Sequence, residues 1–310
     1  MKIHPANVKK IAILRALQLG DLLCSVPAFR ALRHAYPAAE ITLLGLPWAA
    51  AFVDRFSMYI DKFVHFPGYE GLPEQAFDQD KWATFMQLMK EKRFDLVLQM
   101  QGKGTIVNEM LQAMSLPLVS GFHCDESTVN SDLFVKYPEG ISEIDRHLAL
   151  MQHLEIPLHG KGLEFPVYAA DMAEWENKIL PLLPEKYVCV HAGSRGEWRQ
   201  WPTPYFALVA DYCAEHGYEV VITGTKEESP ITQQVIYFMK NQPIDMTGKT
   251  SLGTIGLLIK NASILISNCT GVSHIASATR TPSVVISMDG EPERWAPLDK
   301  AIHRVIDWPR

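Results

Sequence analysis

Strand-like apolar runs alternate with helical patterns along this chain, the alternation stops at a proline-bearing stretch, and then it starts again. That restart constrains the fold more than any single motif. Strands separated by helices pair in parallel and need helices on both sheet faces, which implies an α/β class. In the first half "KIAILRA" (Lys10–Ala16) reads as a strand, followed by the turn "LQLGD" and a helix near Leu22–Ala35. Val26, Phe29, Ala31 and Leu32 lie close to helical spacing there. Glu40–Leu46, Phe63–Phe66 and Phe94–Met100 read as further strands, the last preceded by a helix around Lys81–Lys92. The segment "KGLEFPVYAADMAEWENKILPLLPEK" carries three prolines and polar breaks, so the domain junction belongs in it. Residues 1–168 are expected to form one domain and residues 169–310 the other.

After the junction Tyr187–Gly193 reads as a strand running into a glycine turn. A helix follows, with Thr203 as N-cap, Pro204 at its first position and Gly217 just past its end. "YEVVITG" is a strand, and the next helix is capped by Ser229 with Pro230 at its first position. "SLGTIGLLIKNA" is a helix, "ILIS" a strand, "GVSHIASAT" a short helix and "SVVIS" a strand. Two Rossmann-like halves in tandem account for the whole chain.

A length of 310 residues is enough for two domains with a substantial core. A net charge of -6 offers no large positive field with which to neutralise nucleic-acid phosphates, so no nucleic-acid partner is expected. A local basic pocket for one diphosphate is compatible with that charge. Cys24, Cys124, Cys189, Cys213 and Cys269 are scattered and odd in number, without zinc-type spacing, which fits reduced thiols in a cytoplasmic protein. "KKIAILRALQLGDLLCSVPA" resembles a lipoprotein signal, yet Arg15 and Asp21 interrupt its apolar region and Leu23 stands where a small residue is expected. Export is therefore not expected, and no apolar run approaches a membrane span. Dinucleotide, Walker, HExxH and GxSxG motifs are missing, which lowers dehydrogenase, NTPase, zinc-protease and esterase readings.

Parallel sheets bind ligands beyond the carboxyl ends of their strands, and four such loops stand out. Asp21 in "LGD" is either an N-cap carboxylate or a general base. In "HAGSRGEWRQWP", Gly193 and Ser194 can present backbone N–H groups and a hydroxyl to phosphate, and Arg195 and Arg199 can add charge-assisted bonds. Trp198 and Trp201 either shape a pocket or pack as core. In "TGTKEES", Glu227 or Glu228 can accept bonds from ribose hydroxyls, or can simply favour a helix start. In "SNCTGVSHIASATRTP", the amides of Thr270, Gly271 and Val272 form a helix N-terminus suited to phosphate. His274 on that helix is either part of the site or a buried residue with a local bond.

Taken together, "LGDLLCSVPAFRALRHAYP", "FDLVLQMQG", "HAGSRGEWRQWP", "VVITGTKEE", "MTGKTSLGTIGLLIKNASILISNCTGVSHIASATRTPSVVI" and "RWAP" resemble the family 9 glycosyltransferases, the heptosyltransferase-like enzymes of lipopolysaccharide core assembly. The resemblance covers most of the chain and keeps the family's order and spacing. It implies a GT-B architecture, two Rossmann-like domains facing across a cleft, the first binding the acceptor and the second the nucleotide-sugar donor. It also implies inverting chemistry with no catalytic metal and no cofactor, on a nucleotide-diphosphate sugar such as ADP-heptose. The acceptor would be a glycan or glycolipid, and the protein would associate peripherally with the inner face of the inner membrane. Asp21 matches the family's proposed base. Gly193, Ser194, Arg199, Glu228, Thr250, Thr270, Gly271 and His274 match donor-site positions, and Gln101 and Lys103 fall at acceptor positions. Two departures stand out. Cys269 replaces the usual aspartate before the Thr-Gly pair, and Thr105 replaces a basic residue after the Gln-Gly pair. Cys269 is what supports a competing reading, a non-catalytic nucleotide-sugar or glycan-binding protein descended from such an enzyme.

Overall fold

A computed structural model describes residues 2–114, 116–125, 129, 132–288 and 291–308. The chain divides into two compact units, Met1–Gly162 and Leu163–Arg310.

In the first unit, strands β1 (Lys10–Leu14), β2 (Glu40–Gly45), β3 (Lys62–His65), β4 (Leu96–Gln99), β5 (Val119–His123) and β6 (Phe134–Lys136) form one parallel sheet in the order β3-β2-β1-β4-β5-β6. This is the 3-2-1-4-5-6 order of a Rossmann sheet, with its switch point between β1 and β4. Helices α1 (Leu19–Ala35), α2 (Ala49–Arg55), α3 (Gln79–Lys92), α4 (Thr105–Ala113) and α5 (Glu143–His153) connect and cover it. Every residue of β4 is buried, as a strand covered on both faces requires. Phe66, Phe85 and Trp82 meet edge-on or tilted and fasten α3 to the sheet.

The second unit repeats the plan. Strands β7 (Tyr187–His191), β8 (Glu219–Thr223), β9 (Ile244–Asp245), β10 (Ile264–Asn268), β11 (Ser283–Ser287) and β12 (His303–Asp307) form a second parallel sheet, β12-β11-β10-β7-β8-β9. Its switch point lies between β7 and β10. Helices α6 (Ala169–Glu174), α7 (Thr203–Glu215), α8 (Ser229–Phe238), α9 (Leu252–Asn261), α10 (Gly271–Thr279) and α11 (Pro292–Trp295) complete it. Phe165 occupies the space beside Gly256 on α9 where a side chain would otherwise stand. Among the described residues no helix is long and apolar enough to cross a membrane.

Three helix starts differ from the sequence expectation. The helix expected near Leu22 begins at Leu19, because the Gln18 amide donates to Asp21 Oδ2 at 3.2 Å and closes the first turn earlier. Asp21 is thus inside the first turn rather than ahead of it. In α7 and α8 the caps are Pro202 and Glu228, so Thr203 and Ser229 are already helical and each proline is second. A proline fits there equally well, since none of the first four helical amides has an intrahelical partner.

Candidate active site

The loops at both switch points are built by polar side chains that join neighbouring strand ends. In the first unit, Arg15 and Asp21 follow β1 while Met100 and Gln101 follow β4. Arg15 is 1% exposed and donates from Nε to the Asp21 carbonyl (3.1 Å) and from Nη1 to the Met100 carbonyl (2.5 Å). Its Nη2 donates to Glu143 Oε1 on α5 at 3.0 Å and stands 3.7 Å from Asp21 Oδ1. The Asp21 side chain is 20% exposed, so the carboxylate lies at the rim with a buried guanidinium behind it. Gln101 is buried, and its Oε1 accepts the Ala16 amide at 2.8 Å, which pins the loop after β1 to the loop after β4. Lys103 is exposed and pairs with Glu139 at 2.6 Å, which holds the ammonium above its usual pKa and the carboxylate below its own. Thr105 is the first residue of α4, behind Gly104, whose left-handed φ of 86° and closeness to the Phe122 carbonyl exclude a side chain.

Glu143 continues the cluster. Its second oxygen pairs with Arg146 Nη1, and His147 Nε2 lies 3.3 Å from Glu143 Oε1. The Arg146 guanidinium covers the Tyr137 ring at 4.3 Å. Burial pushes the His147 imidazole down to about 4, with Arg15 adding to the shift and Glu143 opposing it, so it is neutral at pH 7.

In the second unit the loop after β7 carries Gly193 and Ser194, both buried. It is held from β10 by Asn268, fully buried, whose Nδ2 donates to the Ala192 carbonyl at 2.7 Å. Asn268 Oδ1 accepts the Trp201 amide at 2.9 Å, so one side chain fixes both ends of the segment that contains Arg199. Gln200 Nε2 also donates to the Ser194 carbonyl at 2.8 Å. Arg199 ends a single 3₁₀ turn, Glu197–Arg199, and is half-buried. Trp201 packs edge-on against Phe206 with ring centroids 5.1 Å apart, whereas Trp198 is 62% exposed. The two tryptophans therefore divide between the alternatives: Trp201 is core and Trp198 is not.

Glu228 caps α8, and its Oε2 accepts the Thr225 amide at 2.8 Å. It lies against Gly193, where any Cβ would collide with its carboxylate, and 3.7 Å from His191 Nε2. His191 Nδ1 meets Thr223 Oγ1 at 3.1 Å, and burial lowers its pKa against the opposing pull of Glu228. Gly248, at φ 67°, donates to the Gly224 carbonyl at 2.9 Å, bringing the loop that holds Thr250 beside the loop that holds Glu228. Thr270 is the extended N-cap of α10 and Gly271 its first residue. Ser273 Oγ donates to the Thr270 carbonyl at 2.7 Å. His274 is buried, its ring 6.3 Å from Trp295. Cys269 is 7% exposed, and its amide continues the β10–β11 ladder by donating to Ile286 at 2.8 Å.

Gly193, Ser194, Arg199, Glu228, Thr250, Thr270 and Gly271 all follow the carboxyl ends of β7 to β10, in the connecting loops or at the start of the next helix, the place where an open parallel sheet takes its ligand. The family model for glycosyltransferase family 9 (heptosyltransferase) matches residues 82–307, spanning the whole second unit except its last few residues and much of the first. The chain belongs to glycosyltransferase family 9. This family 9 enzyme is similar to lipopolysaccharide heptosyltransferase 3 of Escherichia coli K12, 23% identical over 298 residues that span 91% of this chain and 83% of that protein. Among solved structures, a family 9 glycosyltransferase from Veillonella parvula matches with a TM-score of 0.81 at 19% identity, covering 99% of this chain and 88% of that one. The E. coli ADP-heptose LPS heptosyltransferase II matches with a TM-score of 0.74 at 19% identity, over 96% and 90% of the two chains. At such identity the structural likeness concerns the fold, and it agrees with the two Rossmann-like α/β units that a GT-B glycosyltransferase needs.

Four residues that hold these loops within their own units escaped the sequence reading: Arg15, Glu143 and Arg146 in the first and Asn268 in the second. Arg15 had a visible signal, a charge inside an apolar strand. Asn268 had a weaker one, a lone amide closing an apolar run.

Proposed function

We propose that this family 9 enzyme is an inverting, metal-independent transferase that moves a sugar, heptose from ADP-heptose, onto a lipopolysaccharide-core or related glycan. The observation that carries this reading is the convergence of Gly193, Ser194, Arg199, Glu228 and the α10 N-terminus around one switch point, in a chain of a heptosyltransferase family. The first unit binds the acceptor and the second the donor. The acceptor hydroxyl attacks the anomeric carbon and gives its proton to Asp21 as the bond to the leaving diphosphate breaks. A positioned base of this kind contributes roughly 10²–10⁴-fold. Negative charge grows on the departing diphosphate, where Ser194, Arg199 and the amides of Thr270 and Gly271 stabilise it in place of a metal. Glu228 and Thr250 take the nucleoside, and His274 supports the helix that carries the amides.

Gln101 and Lys103 take the acceptor, Gln101 through its side-chain nitrogen since its oxygen already holds Ala16. The choice of ADP-heptose draws on the similarity to E. coli ADP-heptose LPS heptosyltransferase II, and the lipopolysaccharide acceptor on the similarity to heptosyltransferase 3. Such an acceptor would hold the protein against the inner face of the inner membrane. Calorimetry with a panel of ADP-, GDP-, UDP- and dTDP-sugars tests the donor assignment; absence of detectable binding at millimolar concentration would overturn it. Cys269 favours one second reading, a binding protein without turnover, because a buried thiol is a poor partner for sugar hydroxyls. Transfer by the wild type that is lost in Asp21→Ala with donor binding intact decides against it.

A further inference from the structure

Behind Asp21 lies a buried ionic cluster that binding and transfer leave without a purpose. Arg15 cannot swing toward or away from the carboxylate, because Nε, Nη1 and Nη2 are all engaged. One nitrogen, Nη2, faces two carboxylates, Glu143 at 3.0 Å and Asp21 at 3.7 Å. We propose, resting on the assignment of Asp21 as the base, that Glu143 is a positioning residue that sets how strongly Arg15 holds the Asp21 carboxylate in its charged form.

The charge count supports this. Arg15 and Arg146 are cationic, Glu143 and Asp21 anionic, and His147 neutral, so the charges of these five side chains balance only while Asp21 is ionised. Of the other charged groups nearby on α5 and the loop before it, Asp145 is taken up by Lys161 at 2.5 Å and by Ser142, and Glu139 by Lys103. When Asp21 accepts the acceptor's proton these five side chains are left with one positive charge in excess, which opposes proton uptake. The Glu143 carboxylate on the shared guanidinium nitrogen weakens that opposition and keeps Asp21 basic enough to act. A purely structural role, tying α5 to β1 and to the loop after β4, would leave the Asp21 titration indifferent to near-isosteric substitutions that change the charge of the cluster.

The test is the titration of Asp21 itself, followed by carboxyl ¹³C NMR on the full chain labelled at aspartate and assigned with Asp21→Asn. Glu143→Gln removes the nearby anion and lowers the Asp21 midpoint by roughly one pH unit. Glu143→Gln combined with Arg146→Met removes one charge of each sign and returns the midpoint most of the way to wild type. Should Glu143→Gln not fold, Arg146→Met carries the test by raising the midpoint. Folded variants whose Asp21 midpoint matches wild type overturn the proposal and leave the cluster a scaffold. Undiminished transfer by Asp21→Ala would instead remove the base assignment while leaving the titration result standing, so the two failures are told apart.

Discussion

Replacing Gly193 by alanine puts a methyl group where Glu228 already is. A Cβ at that position would fall within contact distance of Glu228 Oε1 and Cδ, and 2.7 Å from Oε2, a separation that real Cβ atoms do not adopt. Either the β7 loop or the carboxylate must move. Moving the carboxylate breaks its bond to the Thr225 amide and its approach to His191. Overpacking of this kind costs about 1–3 kcal/mol, equivalent to roughly 5- to 150-fold if it falls on donor binding. If it falls on stability, the melting temperature of a unit this size drops by about 2–4 °C for each kcal/mol. Calorimetry with ADP-heptose and a thermal melt measure the two together. The same substitution in a Glu228→Ala background removes the obstacle, so Gly193→Ala should then cost little in either assay. Equal costs in the two backgrounds would show that the glycine serves something other than room for Glu228, and wild-type behaviour of Gly193→Ala alone would refute the contact outright.

Asp21→Ala should lower kcat by about 10²–10⁴-fold with donor affinity unchanged, read by steady-state kinetics beside calorimetry. Asn268→Ala deprives the Ala192 carbonyl and the Trp201 amide of their partner, so it should destabilise by about 1–3 kcal/mol in denaturant titration and weaken donor binding as the Arg199 segment loosens. His147 is held at about 4 when folded against its ordinary 6.5. The unfolded chain therefore binds the extra proton between those values, and stability that is complete above about pH 6.5 is lost as pH falls toward 4, by an order of 3 kcal/mol. His147→Phe should flatten that slope in urea melts across the same window, although the lowered His191 and His303 leave part of it in place.

Elements with an apolar face of regular period were legible, and those whose burial is polar were not. β10, α10 and β11 stand within a residue of where the sequence pattern puts them, because "ILIS" and "SVVIS" are unbroken runs and a Thr-Gly pair turns the chain. β5 reads "VSGFH", which resembles a turn more than a strand. Its Gly121 is there because Gln99 on the neighbouring strand fills the space of a side chain. β6 and β9 have three and two residues, too few for a period to show. α5 was missed for the opposite reason: Glu143, Arg146 and His147 look like the solvated face of a helix, and all three are buried.

The same contrast governs the site. Gly193, Thr270 and Gly271 announce themselves because a tight turn from a strand into a helix favours small residues, a requirement local to the sequence. Arg15 and Glu143 lie 128 positions apart and acquire meaning only when α5 packs on α1. Burying either ion alone would cost several kcal/mol, so each is evidence for the other. A lone arginine at the end of an apolar strand, with no acid in the adjoining segments except one in the first turn of the next helix, therefore implies a distant carboxylate. In this chain that requirement points to a charged stripe at i, i+3 and i+4 on a later helix, and Glu143, Arg146 and His147 supply it. Asp21, Arg15 and Glu143 are one electrostatic unit, which is why the motif "LGD" alone reads as a helix cap.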